Sequence, residues 1–184
     1  LKGAEVDIHA DGSLDLDDDT LARLDLVLVS LHSSLGLAPA HQTRRLVRAL
    51  QHPAVHVLAH PTGRIVNGRR GAQFDLDEVV RVAVHEGVLL EINAQPERLD
   101  LDDVAARRAQ ELGATFVIDT DAHSIEELRF MRWGVDQARR GWVERGHVAN
   151  ARPLRALSAL LAARRDEARG REARRRPARR GVRR

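Results

Sequence analysis

Cysteine and tyrosine are absent from the 184 residues, and lysine and methionine occur once each. Without thiols there are no disulfide staples and no thiolate ligands. A bound metal would have to be held by His, Asp, Glu and water, and the redox compartment stays open. Aromatic residues make up 3% of the chain, namely Phe74, Phe116, Phe130, Trp133 and Trp142. So few rings argue against broad recognition of single strands by base stacking, and Trp133 and Trp142 are expected to pack the last helices onto the domain. No apolar run approaches the roughly 20 residues that span a bilayer. The amino terminus also lacks the basic-then-apolar pattern of a secretory leader. The expected setting is cytoplasmic, with no membrane partner.

A hydrophobic content of 43% in 184 residues suits one domain with a real core. The formal charge of +3 is unevenly spread: residues 164–184 contain 11 Arg against Asp166, Glu167 and Glu172. This places a domain at 1–163, mildly acidic, and an Arg-rich tail at 164–184 with too little apolar content to fold. Such a tail can bind DNA through counterion release. The blander reading, a solvated extension reflecting the preference for Arg over Lys, is favoured.

Apolar runs predict strands at 3–8, 26–31, 55–59, 88–93 and 116–118. Helical patterns fall between them, at about 42–50, 76–86 and 102–112, and then at 126–140 and 152–165. Strict alternation of strand and helix implies a parallel sheet, open or closed into a barrel, with chemistry at the carboxyl ends of the strands. Each predicted strand offers a polar residue there: Glu5, His32, His60, Asn93, and Asp121 with His123. Asp121 can also be read as the cap of a helix starting near Ser124, which would leave His123 exposed. Three His and two carboxylates suit Mn, Zn or Fe, and five ligands suggest two or three ions. Such clusters activate water and clamp both oxygens of a phosphate displacement.

The pieces Gly3-Ala-Glu5-Val, Leu24-Asp-Leu-Val-Leu-Val-Ser-Leu-His32-Ser33, His60-Pro-Thr-Gly-Arg64, Glu91-Ile-Asn93-Ala, Arg98-Leu-Asp-Leu, Asp121-Ala-His123-Ser and Ala138-Arg-Arg-Gly-Trp142 resemble the PHP (polymerase and histidinol phosphatase) domain. More narrowly, they resemble its version at the carboxyl end of bacterial family X DNA polymerases. The resemblance implies a distorted (β/α)7 barrel, divalent ions (Mn or Zn), and 3′–5′ exonuclease or end-processing action on DNA 3′ ends. It matches Glu5, His32, His60, Asp121 and His123 to metal ligands, with Glu5 bridging two ions. Arg64 is expected on a phosphate oxygen, and Asn93 is expected to orient a ligand or water.

The family's opening His-x-His strand, and the Asp and His after it, have no counterpart here. The expected barrel is therefore incomplete at its amino-terminal strands, with two unpaired edges. The chain, opening at Leu1, reads as the carboxyl-terminal portion of a longer protein with a polymerase module upstream. Two other functions stay open: a phosphatase of small monoesters such as histidinol phosphate, and a non-catalytic structural remnant. His9 in Asp7-Ile-His9 is read as an exposed loop residue and His56 as a hydrogen-bonded core histidine. His41, His52, His85 and His147 lie away from the strand ends.

Overall fold

The computed structural model describes residues 1–175, and the last nine residues of the expected tail lie outside them. Five strands, β1 (Gly3–Asp7), β2 (Leu26–Ser30), β3 (Val57–Leu58), β4 (Leu89–Asn93) and β5 (Phe116–Asp119), form one parallel sheet in sequential order. The helices are α1 (Asp18–Leu21), α2 (Pro39–Leu50), α3 (Leu76–Glu86), α4 (Asp103–Glu111), α5 (Met131–Arg140) and α6 (Leu154–Arg175).

Side chains alternate across each strand. Val6, Val27, Val29, Leu90, Ile92, Phe116 and Ile118 therefore share one face with Leu46 and Leu50 of α2, Val79, Val80 and Ala83 of α3, Ala106 of α4 and Ala138 of α5. Sequential strand order with α2–α5 on one face is compatible with part of a β/α barrel, whereas a doubly wound sheet reverses its strand order. The opposite face carries Leu26, Leu28, Val57, Leu89 and Val117, and α6 covers it with Leu157, Leu160 and Leu161.

Local chemistry sets the helix ends. Asp75 and Asp102 cap α3 and α4, accepting from the amides of Glu78 and Ala105. Gly87 ends α3 at φ +71°, a conformation that disfavours a side chain. The single helix expected at 126–140 is divided into a 3-10 segment, Glu126–Phe130, and α5. At Gly134 a Cβ would lie 2.6 Å from Ile118 Cγ2 and 2.8 Å from the Ala94 Cβ, so glycine lets α5 press directly onto the ends of β4 and β5.

Three expectations change. The last helix does not stop at Arg165 but runs to Arg175, across the boundary drawn at residue 163. Arg164, assigned to the tail, is buried and donates to the carbonyls of Leu50 and His52. Neither expected open edge is wholly bare: at the end of β1, Asp15 N–H donates to the Asp7 carbonyl and Ile8 bridges to Leu14. Along β5, Phe116 bridges to Val148, and the Asn150 amide accepts from Ile118 N–H and donates to Ile118 C=O. Nor do the tryptophans pack inside: Trp133 is 41% and Trp142 72% exposed. No helix among the described residues is long and apolar enough to cross a membrane.

Candidate metal centre

In β1 the alternation that sends Val6 into the core turns Glu5 and Asp7 to the other face. Parallel pairing sets Glu5 beside Leu28 and Asp7 beside Ser30. The chain beyond β2 then brings His32 over the end of β1, and the chain beyond β3 brings His60 in from the far side. One ligand atom from each of Glu5, His32 and His60 falls within 4.8 Å of the others. His60 Nε2 lies 2.8 Å and His32 Nε2 3.4 Å from Glu5 Oε1, and the two rings are 5.2 Å apart, centre to centre. The hydrogen bond with His60 is the main cause holding the Glu5 carboxyl down at about 2. Burial opposes it, while the Ser30 hydroxyl and the electrostatic influence of the two imidazoles assist.

His32 Nδ1 sits 2.6 Å from Asp7 Oδ1. A proton on Nδ1 donated to Asp7 leaves the Nε2 lone pair facing Glu5, the tautomer a metal requires. The donor set of one carboxylate and two imidazoles therefore fits a borderline divalent cation.

A layer of buried acids lies next to these ligands. Glu91 accepts from the backbone N–H of His60 and from Asn93 Nδ2. Burial, and then the neighbouring Asp119 carboxylate, push the Glu91 carboxyl well up, and the hydrogen bond between the two favours the proton on Glu91 over Asp119. Asn93, fully buried, also donates to Asp121 Oδ2 at 3.2 Å. Asp100 Oδ2 accepts from Thr62 N, Thr62 Oγ1 and Gly63 N, which anchors the turn behind His60. His60 and Asp121 hold positive φ, +25° and +47°, so both ligand candidates sit in backbone that non-glycine residues seldom adopt.

The structure does not gather all five expected ligands into one group. Asp121 and His123 lie outside the Glu5–His32–His60 cluster and reach it through Asn93 and Glu91. His123 Nδ1–H donates to the carbonyl of Asp121, 2.8 Å away, and its ring is otherwise exposed. Arg64, expected on a phosphate, is spent on the protein instead. Its guanidinium donates to the carbonyls of Arg98 and Leu99 and pairs with Asp102, tying down the loop after β4. The guanidinium beside the candidate ligands belongs to Arg98, whose Nε lies 3.5 Å from Asp121 Oδ2. Its NH1 is buried with no partner.

Sequence reasoning passed over Asp7, Glu91, Arg98 and Asp100 as members of the site. The two-residue period from Glu5 was signal enough for Asp7. The same period from Asn93 reaches Glu91 in β4, whereas Arg98 and Asp100 depend on how the loop at 94–102 folds back, which no local pattern announces. His56 is a core histidine, its Nδ1 accepting from Val27 N–H, and His9 is an exposed loop residue near Asp15.

No family model matches the chain. Individual proteins do. The chain is 46% identical over 161 residues, 88% of its length, to the DNA polymerase/3′-5′ exonuclease PolX of Bacillus subtilis, of which it covers 28%. It is 34% identical over 96 residues to a probable phosphatase of Syntrophotalea carbinolica, covering 38% of that protein. A probable phosphatase of a Thermoanaerobacter species is 30% identical over 142 residues, with 55% of it covered. The chain thus spans about a quarter to about half of these relatives' lengths. Motifs, strand-end residues and relatives agree: the chain resembles the PHP domain at the carboxyl end of family X DNA polymerases.

Proposed function

We propose that this domain hydrolyses phosphodiester bonds at DNA 3′ ends with the help of two or three divalent ions, Mn or Zn, as one module of a family X DNA polymerase. The reading rests above all on the convergence of Glu5, His32 and His60 at one end of a parallel sheet, with Asp7 orienting His32. The proposed ligands are Glu5, His32, His60, Asp121 and His123, in the setting of a (β/α)7 barrel to which these five strands contribute. A cation bound there would supply Lewis acidity to the phosphoryl oxygens and a more acidic water.

The rest falls to the chain. Glu5 spans the two imidazoles, and Asp7 fixes the tautomer of His32. Asn93 holds Asp121, and the guanidinium of Arg98, rather than that of Arg64, lies where a substrate phosphate would meet Asp121. The proposed domain includes α6, because Arg164 is part of its packing.

The test is release of the 3′ nucleotide from an oligonucleotide with added Mn, set against hydrolysis of a small monoester. Wild type should prefer the oligonucleotide, and His32→Ala should abolish the reaction. Asp7→Asn should weaken metal affinity by about 10- to 100-fold. Equal rates in wild type and His32→Ala would overturn the assignment. Faster turnover of the monoester would favour the second reading, a small-molecule phosphatase, to which the relatives named probable phosphatases lend support.

A further inference from the structure

Exposed apolar side chains are densest between residues 125 and 135, although others, such as Val104 and Trp142, stand singly elsewhere. Ile125 precedes the 3-10 segment, Leu128 lies in it, and Met131 and Trp133 belong to the first turn of α5; Ile125 is 83% exposed. Within this stretch Phe130 and Trp133 line a cavity of about 490 Å³ together with Pro96, Arg129 and Arg132. That is within the ~300–1,000 Å³ of typical small-ligand clefts. Its chemistry is mixed in one particular way: the walls are aromatic and the rim cationic. Arg132 lies 4.5 Å from the centre of the Trp133 ring, and Arg129 lies 5.8 Å from that of Phe130. There is no carboxylate among the lining residues.

This cavity adjoins the loop residues Asp121 and His123, which lie beside the Glu5–His32–His60 cluster but outside it. Pro96 lines the apolar side, and the adjoining Gln95 faces the other, where Asp121, His123, Arg98 and Glu127 line a second cavity of about 230 Å³. Gln95 Nε2 donates to the carbonyl of Asp121 and to Glu127 Oε2, both at 2.9 Å, and Glu127 accepts from His123 N–H. The wall is therefore hydrogen-bonded at fixed spacing to the residues proposed to do chemistry. α5 in turn is seated on Ala94 and Ile118 by Gly134, next in sequence to Trp133. Trp133 thus stands on a rigid element and remains 41% exposed.

We propose that Phe130 and Trp133 form a stacking site for one nucleobase of a single-stranded DNA end, with Arg129 and Arg132 receiving the adjoining phosphates. A flat π-face flanked by guanidinium groups complements a base with its phosphate on both shape and charge. A hydrophobic protein partner would not call for an all-cationic rim. The proposal rests on the 3′-end reading of the metal centre and adds the means by which a strand is held there. The scarcity of aromatic residues rules out an extended stacking groove, and one platform is what the fold makes of them.

Binding should be measured by fluorescence anisotropy with a chelator present, so that no turnover occurs. The probes are two labelled strands of equal length and charge, one a short oligodeoxyadenylate and the other its abasic counterpart. Equal charge cancels the contribution of arginines elsewhere. Wild type should bind the base-bearing strand about tenfold or more tightly. Trp133→Ala should erase that difference, Trp133→Phe should keep most of it, and Trp142→Ala should leave it unchanged. The exposed position of Trp133 predicts an unaltered thermal midpoint for Trp133→Ala. Equal preference in Trp133→Ala and wild type, or no preference in wild type, would overturn the platform. Loss of metal-dependent hydrolysis in His32→Ala concerns the other reading and leaves this result untouched.

Discussion

Two carboxyls a few residues apart in space answer to pH in opposite directions. Glu5 is held at about 2 by its hydrogen bond with His60. Its contribution to stability is present above the usual carboxylate range and is lost as pH falls toward that value. Glu91 is pushed up by burial. As pH rises beyond the ordinary glutamate value of about 4.3, the unfolded chain releases this proton while the folded chain retains it. Fewer protons on the unfolded state make stability fall with rising pH. Glu91→Gln keeps a donor toward Asp119 and an acceptor for His60 N–H without an ionisable proton. In chelator, its thermal midpoint should decline less than that of wild type between pH 5 and pH 8. Parallel pH profiles for the two proteins would show that Glu91 is ionised in the fold.

The elements that carry the site are held by close backbone approach as much as by apolar contact. α5 meets the sheet at Gly134, where even a methyl group would fall within 2.6–2.8 Å of Ile118 and Ala94. Alanine is the better helix former by roughly 1 kcal/mol, so propensity alone would have Gly134→Ala stabilise the protein. Overpacking decides otherwise and should cost about 1–3 kcal/mol, seen as a lower denaturation midpoint in urea. A rise in midpoint would mean that α5 can lift from β4 and β5 at little cost. Strand periods and helix caps made most elements legible beforehand: α3 begins at Leu76 and ends at Glu86 where Asp75 and Gly87 put its limits. The division of 126–140 was not legible, because the 3-10 segment is shaped by Glu127 reaching back to His123 and Gln95.

At the scale of the molecule, the sheet is sandwiched by α2–α5 on one face and α6 on the other. Cutting the chain after Ala163 would remove the buried guanidinium of Arg164, which satisfies the carbonyls of Leu50 and His52 beyond the end of α2. Hydrogen bonds from a charged group contribute about 1.5–3 kcal/mol, and the shortened chain should melt correspondingly lower. An unchanged midpoint would restore the domain limit to residue 163. Composition had set residue 164 at the start of an unfolded tail because Arg dominates from there on. Burial is decided one residue at a time, by which face of α6 meets the sheet.

The order of strands and helices, and the polar residue at each strand end, were fixed by the chain's own periodicity. A strand's two-residue repeat and a parallel fold's common polarity need no tertiary knowledge. Glu5, His32 and His60 follow from that alone. What the tertiary structure decided lies in loops and on surfaces, where side-chain direction has no period. There Asp7 takes His32, Arg64 is committed to the loop after β4 while Arg98 approaches Asp121, and Phe130 and Trp133 line a cavity beside Pro96. Each outcome depends on which carbonyl, carboxylate or empty space a long side chain meets after the backbone has closed around it.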